Sequence, residues 1–511
     1  MKSSVRFRFL ILTVLAFVSV VTPNMASANS NHNIQLIEQF VEEQQELSNI
    51  PGLSLVIVEK GKTVYRKGFG YADLQSKKPI TSDTLFEIGS TTKAFTGLAI
   101  MQLEKEGLLE RTDDIQEYIP WLKLTYQGKP QSITIDQLLH HTSGIPSNSI
   151  ARIPESNADN ALELTVRTLV NQPLNRKSGS SFEYATINYD VLGLVIETVT
   201  KTPYDVYMKQ QILEPLGMNS TFAGRHQVHS GMEMASGYKI GFMQALAYTA
   251  PTYRGNTPAG YFVTNANDIA KWMNVQLGSD PSNTIHQEVI RASHIPDQTV
   301  APFDQDTYYA SGWEIKEKNN ERYISHAGQN PNFTSYFIMN PEEQVGVAVF
   351  SNLNTSYTTA IGQGVMALWE GKKVTTVHTD SYQKLDQIVT IACIIVAGAG
   401  IIIFLSTLMM LRKLVARQRI RASLNGKRLL LLLVHTLIVA GIITATILLP
   451  KWLLGGLPWS FIHVWAPTSI TVFLYIVIAV SLIYYVMGVL RCLTIKRTIA
   501  GKVFHPTLMD N

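Results

Sequence analysis

Ser90 and Lys93 stand three residues apart at the head of an apolar run, in FEIGSTTKAFTGLAIMQLEKEG from Phe86 to Gly107. On a helix that spacing puts both side chains on one face. A serine hydroxyl becomes a nucleophile only beside a base. A lysine can be that base near neutral pH if burial or the positive end of a helix lowers its proton affinity. The Ser90 N–H would be one of the unpaired donors of the helix start, free to face a developing oxyanion. The plain alternative is a capping serine followed by a solvated charge.

The tetrad alone is a weak signal, because the chain contains it three times: Ser90/Lys93, Ser236/Lys239 and Ser381/Lys384. Context separates them. Ser381/Lys384 precedes a long apolar segment and reads as its polar flank, and Ser236/Lys239 lies in ASGYKIGF, a loop-to-strand stretch. Only Ser90/Lys93 opens an apolar helix, with Ala94, Phe95, Leu98, Met101 and Leu103 as its apolar face and Gly107 as its stop. Two further segments carry groups that could complete such a site. FEYATINYDVLGLVIETVT places Tyr184 before an apolar helix, and YISHAGQNPNF places His326-Ala327-Gly328 on a late strand. His140-His141 has no metal-ligand spacing and reads as structural, since adjacent side chains diverge on a helix.

The elements that must position these residues form an ordered series. A helix over Ile34–Ser48 is followed by two strands around the Lys60-Gly61-Lys62 turn, then by the Ser90 helix and a long stretch of helices and Gly/Pro/Asn loops. Strand signals return in YYASGWEIK, RYISHAG, TSYFIMN and QVGVAVFSN, before the helical SYTTAIGQGVMALWEG. Strands at both ends with helices between predict an α+β domain whose antiparallel sheet joins the two chain ends, with helices on both faces and a helical subdomain.

The flanks of this domain are membrane signals. Lys2, Arg6 and Arg8 before Phe9–Val21, with Ala26-Ser27-Ala28, read as a signal peptide over 1–28, leaving a domain over 29–375. Within 385–492, three apolar runs, 388–411, 429–449 and 468–490, are each long enough to span a bilayer, and 493–511 forms a tail. The loop after the first run holds seven basic residues between Arg412 and Arg428, and Arg491, Lys496, Arg497 and Lys502 lie just before or within the tail. Pro450–Pro467 carries Trp452, Trp459 and Trp465, as an interfacial belt does. This distribution predicts a multi-pass protein of the cytoplasmic membrane, basic segments inside and the front domain outside. It also explains the net charge of +4 without nucleic acid. The two cysteines, Cys393 and Cys492, lie in or beside the apolar runs, so the front domain has no disulfide and relies on its core.

Taken together, Ser90-x-x-Lys93, Tyr184-Ala185-Thr186 and His326-Ala327-Gly328 resemble the serine β-lactamase and penicillin-binding-protein superfamily, in its class C-like (S12-type) peptidase branch. LLHHTSGIP, NYDVLGLVIETVT and EPLGM are similar to the same branch. ASGYKIGF, HAGQNPNF and the three apolar runs resemble one subgroup, the membrane-bound peptidases that remove an N-acyl-D-asparagine cap in the colibactin, zwittermicin, amicoumacin and xenocoumacin pathways. The resemblance implies Ser90 as nucleophile, Lys93 as base and Tyr184 as proton relay, with an oxyanion hole from the Ser90 and Gln329 N–H groups. It implies no metal or organic cofactor. Partners would be an N-acyl-D-Asn amide precursor and the lipid bilayer, with a homodimer left open. The usual third residue of the Tyr motif is replaced by Thr186, and the usual Lys-Thr-Gly strand by His326-Ala327-Gly328. The missing lysine argues against substrates that need a carboxylate anchor. For the D-Asn carboxamide the candidates are Thr186, Asn256, Asn330 and Glu87, with His326 in the pocket wall. Two alternatives stay open: a general class C-like D-amino peptidase, esterase or β-lactamase, and a penicillin sensor or scaffold that is acylated without turning over.

Overall fold

The segment GLSLVIVE has apolar side chains on both sides of its backbone, so it needs cover on two faces. The computed structural model, which describes residues 25–279, 285–318, 321–374, 378–453 and 455–497, supplies that cover. Eight strands form one sheet: β1 (Gly52–Glu59), β2 (Lys62–Asp73), β3 (Lys78–Pro79), β4 (Thr307–Tyr309), β5 (Glu314–Lys318), β6 (Glu321–Gln329), β7 (Thr334–Asn340) and β8 (Val345–Ser351). Their order is β4-β5-β6-β7-β8-β1-β2-β3. The pairing of β1 with β8, Leu53 opposite Ser351 through Glu59 opposite Val345, is antiparallel and joins the two ends of the domain as expected. Lys60 and Gly61 both have positive φ, 48° and 78°, the conformation that a tight β1–β2 hairpin requires.

Side-chain alternation divides the sheet's cover. Phe337, Ala348 and Phe350 join the large core with Phe95 and Trp272. On the other face Tyr336 meets Gly362 of the late helix Tyr357–Trp369, which packs on β7, β8 and the first helix, Met25–Ser48. That first helix begins nine residues before the expected Ile34. Residues 1–24 of the expected signal segment, and 498–511 of the tail, lie outside the described residues.

The Ser90 segment differs from expectation in two respects. It opens with a 3₁₀ turn, Gly89–Thr92, and the α-helix starts at Lys93 and runs to Lys105. Nor is this helix amphipathic, because every residue from Lys93 to Met101 is buried. It is a central helix covered on all sides, not a surface helix with one apolar stripe. Gly107 follows its end with φ +70°, as a C′ residue should.

A second compact unit comprises Lys239–Leu246 and Ser381–Asn511. Its helices Ser381–Val415, Gly426–Leu453 and Thr468–Leu493 contain the three expected runs, and all three are long and apolar enough to cross a membrane. Ser381 and Lys384 lie at the start of the first of them, ahead of the apolar run 388–411. The tryptophan segment is also more regular than a loop, since Trp459–Trp465 is a short helix. The hairpin residues Phe242 and Met243 donate their N–H groups to the two oxygens of the buried Asp386, at 3.1 and 2.6 Å.

Candidate active site

The chain enters the site along Phe86–Glu87, which pairs with Val263–Thr264. It turns at Gly89, whose φ of +53° is unfavourable for any side chain. Steric space forbids a side chain as well: a β-carbon on Gly89 would collide with the Gln329 amide nitrogen, and one on Gly328 with the Ile88 carbonyl. The nucleophile turn and β6 are therefore pressed together backbone to backbone, which brings the Ser90 turn against the Gln329 N–H. Ser335 Oγ donates to the Ile88 carbonyl at 2.6 Å, and Thr91 Oγ1 to the same oxygen at 2.7 Å, fastening the turn to the sheet.

Lys93 is fully buried. Its Nζ lies 3.0 Å from Ser90 Oγ, 3.1 Å from Thr186 Oγ1 and 2.7 Å from the Ala259 carbonyl. Burial pulls the ammonium down to about 7, against the opposing attraction of Asp190. A neutral amine has two N–H groups and one lone pair. The Ala259 carbonyl can only accept, so it takes one N–H, and Thr186 can take the other. The lone pair is then directed at the Ser90 hydroxyl, ready to receive its proton. Asp190 is a feature that the sequence reading passed over. It is buried, Asn256 Nδ2 donates to it at 2.6 Å, and burial holds its carboxyl well above the usual range. Asp190 is thus the neighbouring charge that works against the loss of the Lys93 proton, and burial outweighs it.

The Tyr184 hydroxyl is close enough to Ser90 for the serine to influence its ionisation, and its ring lies 5.1 Å from Lys93 Nζ. Burial raises its hydroxyl, so it stays protonated and can give a proton to a departing amine. The ring is held by others: His141 at 4.3 Å between centroids, Tyr309 at 6.0 Å and His326 at 6.2 Å. His141, read from sequence as merely structural, is thus in the wall of the site. Its Nδ1 accepts from Asn188 Nδ2 at 3.0 Å, burial keeps the ring neutral, and among the described residues no partner reaches Nε2.

The remaining candidates are placed as follows. His326 is buried with both ring nitrogens engaged: Nδ1–H donates to the Ala327 carbonyl at 2.7 Å, and Nε2 accepts from Tyr309 at 2.8 Å. Burial and the nearby Lys93 lower it to about 3, so it stays neutral where the superfamily usually carries a lysine. Asn330 is buried and donates to Glu87 Oε2 at 2.8 Å and to the Gly260 carbonyl at 3.0 Å. Glu87, also buried, is ion-paired with Arg225. Asn330 Oδ1, Asn256 Oδ1 and the Gly89 carbonyl carbon all converge within 4 Å of where a Gly260 side chain would begin. The Gln329 side chain turns away to Asn354, at 2.7 Å. Of the groups missed from sequence, Asp190 had a signal, a carboxyl inside an apolar helix. Gly89, Arg225 and Tyr309 had none.

These elements recur in known proteins. The family model for Beta-lactamase matches residues 36–363. The Staphylococcus aureus (strain MRSA252) protein flp is 31% identical over 92% of this chain and 93% of its own length. The octameric penicillin-binding protein homologue from Pyrococcus abyssi superposes with a TM-score of 0.60 at 30% identity, covering 66% of this chain and 78% of that one. A class C beta-lactamase, at 19% identity, shares the fold with a TM-score of 0.58, over 69% of this chain and all of its own. The chain belongs to the beta-lactamase family, within the superfamily of serine hydrolases that includes the penicillin-binding proteins.

Proposed function

We propose that this protein is a membrane-anchored SxxK serine peptidase that removes an N-acyl-D-asparaginyl cap from an amine. The observation that carries the serine chemistry is Lys93 Nζ, fully buried and 3.0 Å from Ser90 Oγ, with its proton affinity lowered by burial to about 7. Ser90 attacks the carbonyl of the asparaginyl residue while Lys93 takes the hydroxyl proton. The oxyanion is received by the Ser90 and Gln329 N–H groups. Tyr184 passes its proton to the leaving amine and regains one from Lys93. Water then attacks the Ser90 ester, releasing the acyl-asparagine and restoring the serine. Glu87 and Asn330 support the carboxamide specificity, because together they offer an acceptor and a donor beside the nucleophile turn. The N-acyl chain partitions into lipid, so tethering the catalytic domain to the bilayer brings enzyme and substrate together.

A broader acyl hydrolase is the second reading. It is favoured by the fact that both Asn330 N–H groups are already engaged, so a carboxamide has to displace one. The two readings separate on stereochemistry. A synthetic N-acyl-D-Asn amide is expected to be cleaved at least about 10²-fold faster than its L-epimer, since a site that leaves buried polar groups unpaired discriminates strongly. Asn330→Leu should lower D-Asn amide turnover far more than turnover of a small acyl ester. Equal rates for the two epimers, or equal losses for both substrates, would establish the broader hydrolase.

The catalytic domain is placed outside the cytoplasmic membrane, on the basic residues that flank the apolar helices. Reporter fusions at Gly371, Asn425, Gly456 and the C-terminus are expected to read out, in, out and in. An exported reporter at Asn425 would reverse this orientation.

A further inference from the structure

We propose that the crevice between strands β4–β6 and the helix Tyr357–Trp369, on the sheet face away from Ser90, binds a small organic ammonium ion with an apolar body. His326 points into the catalytic site, so its strand neighbours Ser325 and Ala327 point the other way, and both line this crevice. The space is about 440 Å³, within the range of small-molecule pockets. Ala327 is exposed into it, although it sits in a central strand. Cross-strand register sets Glu314 beside Ser325, and Ser325 beside Ile338, in one row along the floor.

Glu314 is the group that selects the ligand. It is partly buried, and among the described residues it has neither a cation nor a hydrogen-bond donor. The charges facing it are Asp304 on the preceding loop, Lys316 on its own strand, Glu321 on β6, and Glu370 and Lys372 at the end of the helix. Lys372 is already paired, at 2.7 Å with Glu321 and 3.0 Å with Glu370, while Lys316 is exposed and makes no ion pair with Glu314. Four carboxyls thus face two ammonium groups, and the one on the floor is unmatched. Burial and the neighbouring Asp304 push Glu314 up to about 7. An ammonium group set between Glu314 and Ser325 Oγ supplies the missing partner. Phe303, Ile338, Met366 and Ala367 form the apolar wall for its carbon chain.

The sign of the pH dependence follows. An alkylamine stays protonated through neutrality, so its affinity tracks ionisation of Glu314 and rises as pH increases through about 7. The test is equilibrium binding of hexylammonium, hexanol and hexanoate to the detergent-solubilised full chain, and to Glu314→Gln and Ala367→Phe. Hexylammonium is expected to saturate one site. It should bind at least about ten-fold more tightly at pH 8 than at pH 5.5, and at least about ten-fold more tightly than the other two probes. Glu314→Gln should remove the preference for the amine, and Ala367→Phe should weaken binding by filling the crevice. Equal binding of hexanol, or hexylammonium affinity unaltered by Glu314→Gln, would overturn the proposal. Glu314 acts on Tyr184 through the sheet by charge alone, and the readout is amine binding, not turnover, so the result stands apart from the hydrolase reading.

Discussion

Ser90→Ala is expected to abolish turnover, by at least about 10⁴-fold, while leaving the fold intact. The reason lies in what the hydroxyl does in the structure. It meets Lys93 and Tyr184, and it caps neither the 3₁₀ turn nor the helix that follows. Its removal should change stability by no more than about 1 kcal/mol. The measurement is paired: turnover of an acyl ester or amide, and intact-protein mass after exposure to an activated ester. Wild-type protein should gain one acyl group, and Ser90→Ala none. A stable acyl adduct on wild type with no release would move the protein to the sensor class. Ser236→Ala and Ser381→Ala should retain activity, since Ser236 Oγ is spent on Asp73 at 2.8 Å and Ser381 belongs to the second compact unit.

Lys93→Met should reduce turnover by about 10³-fold or more, because it removes the base and keeps the volume. With wild-type protein the same residue should shape the pH profile. Only the neutral amine can accept the Ser90 proton, so activity should climb with pH through about 7 and level off above it. A stability consequence follows from the same burial. Lys93 is depressed from 10.5 to about 7 in the folded chain, so between these values the unfolded chain binds more protons. Stability therefore rises with pH across that window, and at pH 7 the buried lysine costs on the order of 4 kcal/mol relative to alkaline pH. Thermal unfolding of wild type and Lys93→Met from pH 7 to 10 isolates this effect. The wild type should gain stability relative to the variant as pH rises. Parallel curves would show that Lys93 keeps its ordinary proton affinity, and would remove it as the base.

The local sequence determined a good deal by itself. The strands around Lys60-Gly61, the late strand segments, the stop of the Ser90 helix at Gly107 and the three apolar runs follow from residue type, turn residues and length, which act within a few residues, although YYASGWEIK, expected as one strand, holds parts of two, β4 and β5. The same locality explains why context could separate Ser90/Lys93 from the two other serine–lysine tetrads. What only the tertiary structure decided depends on groups brought together from distant parts of the chain. Lys93 is fully buried because Thr186, Ala259 and the helix carrying Asp190 close around it, and no local pattern reports that loss of water. His141 was legible as an adjacent pair without metal spacing, yet packing, not spacing, set it against Tyr184. Asn256 and Asn330 have the same side chain, but one was spent on Asp190 and the other on Glu87 and the Gly260 carbonyl. Hydrogen-bond partners of buried amides are chosen by tertiary neighbours, because each buried donor must be satisfied by whatever acceptor packing brings within reach.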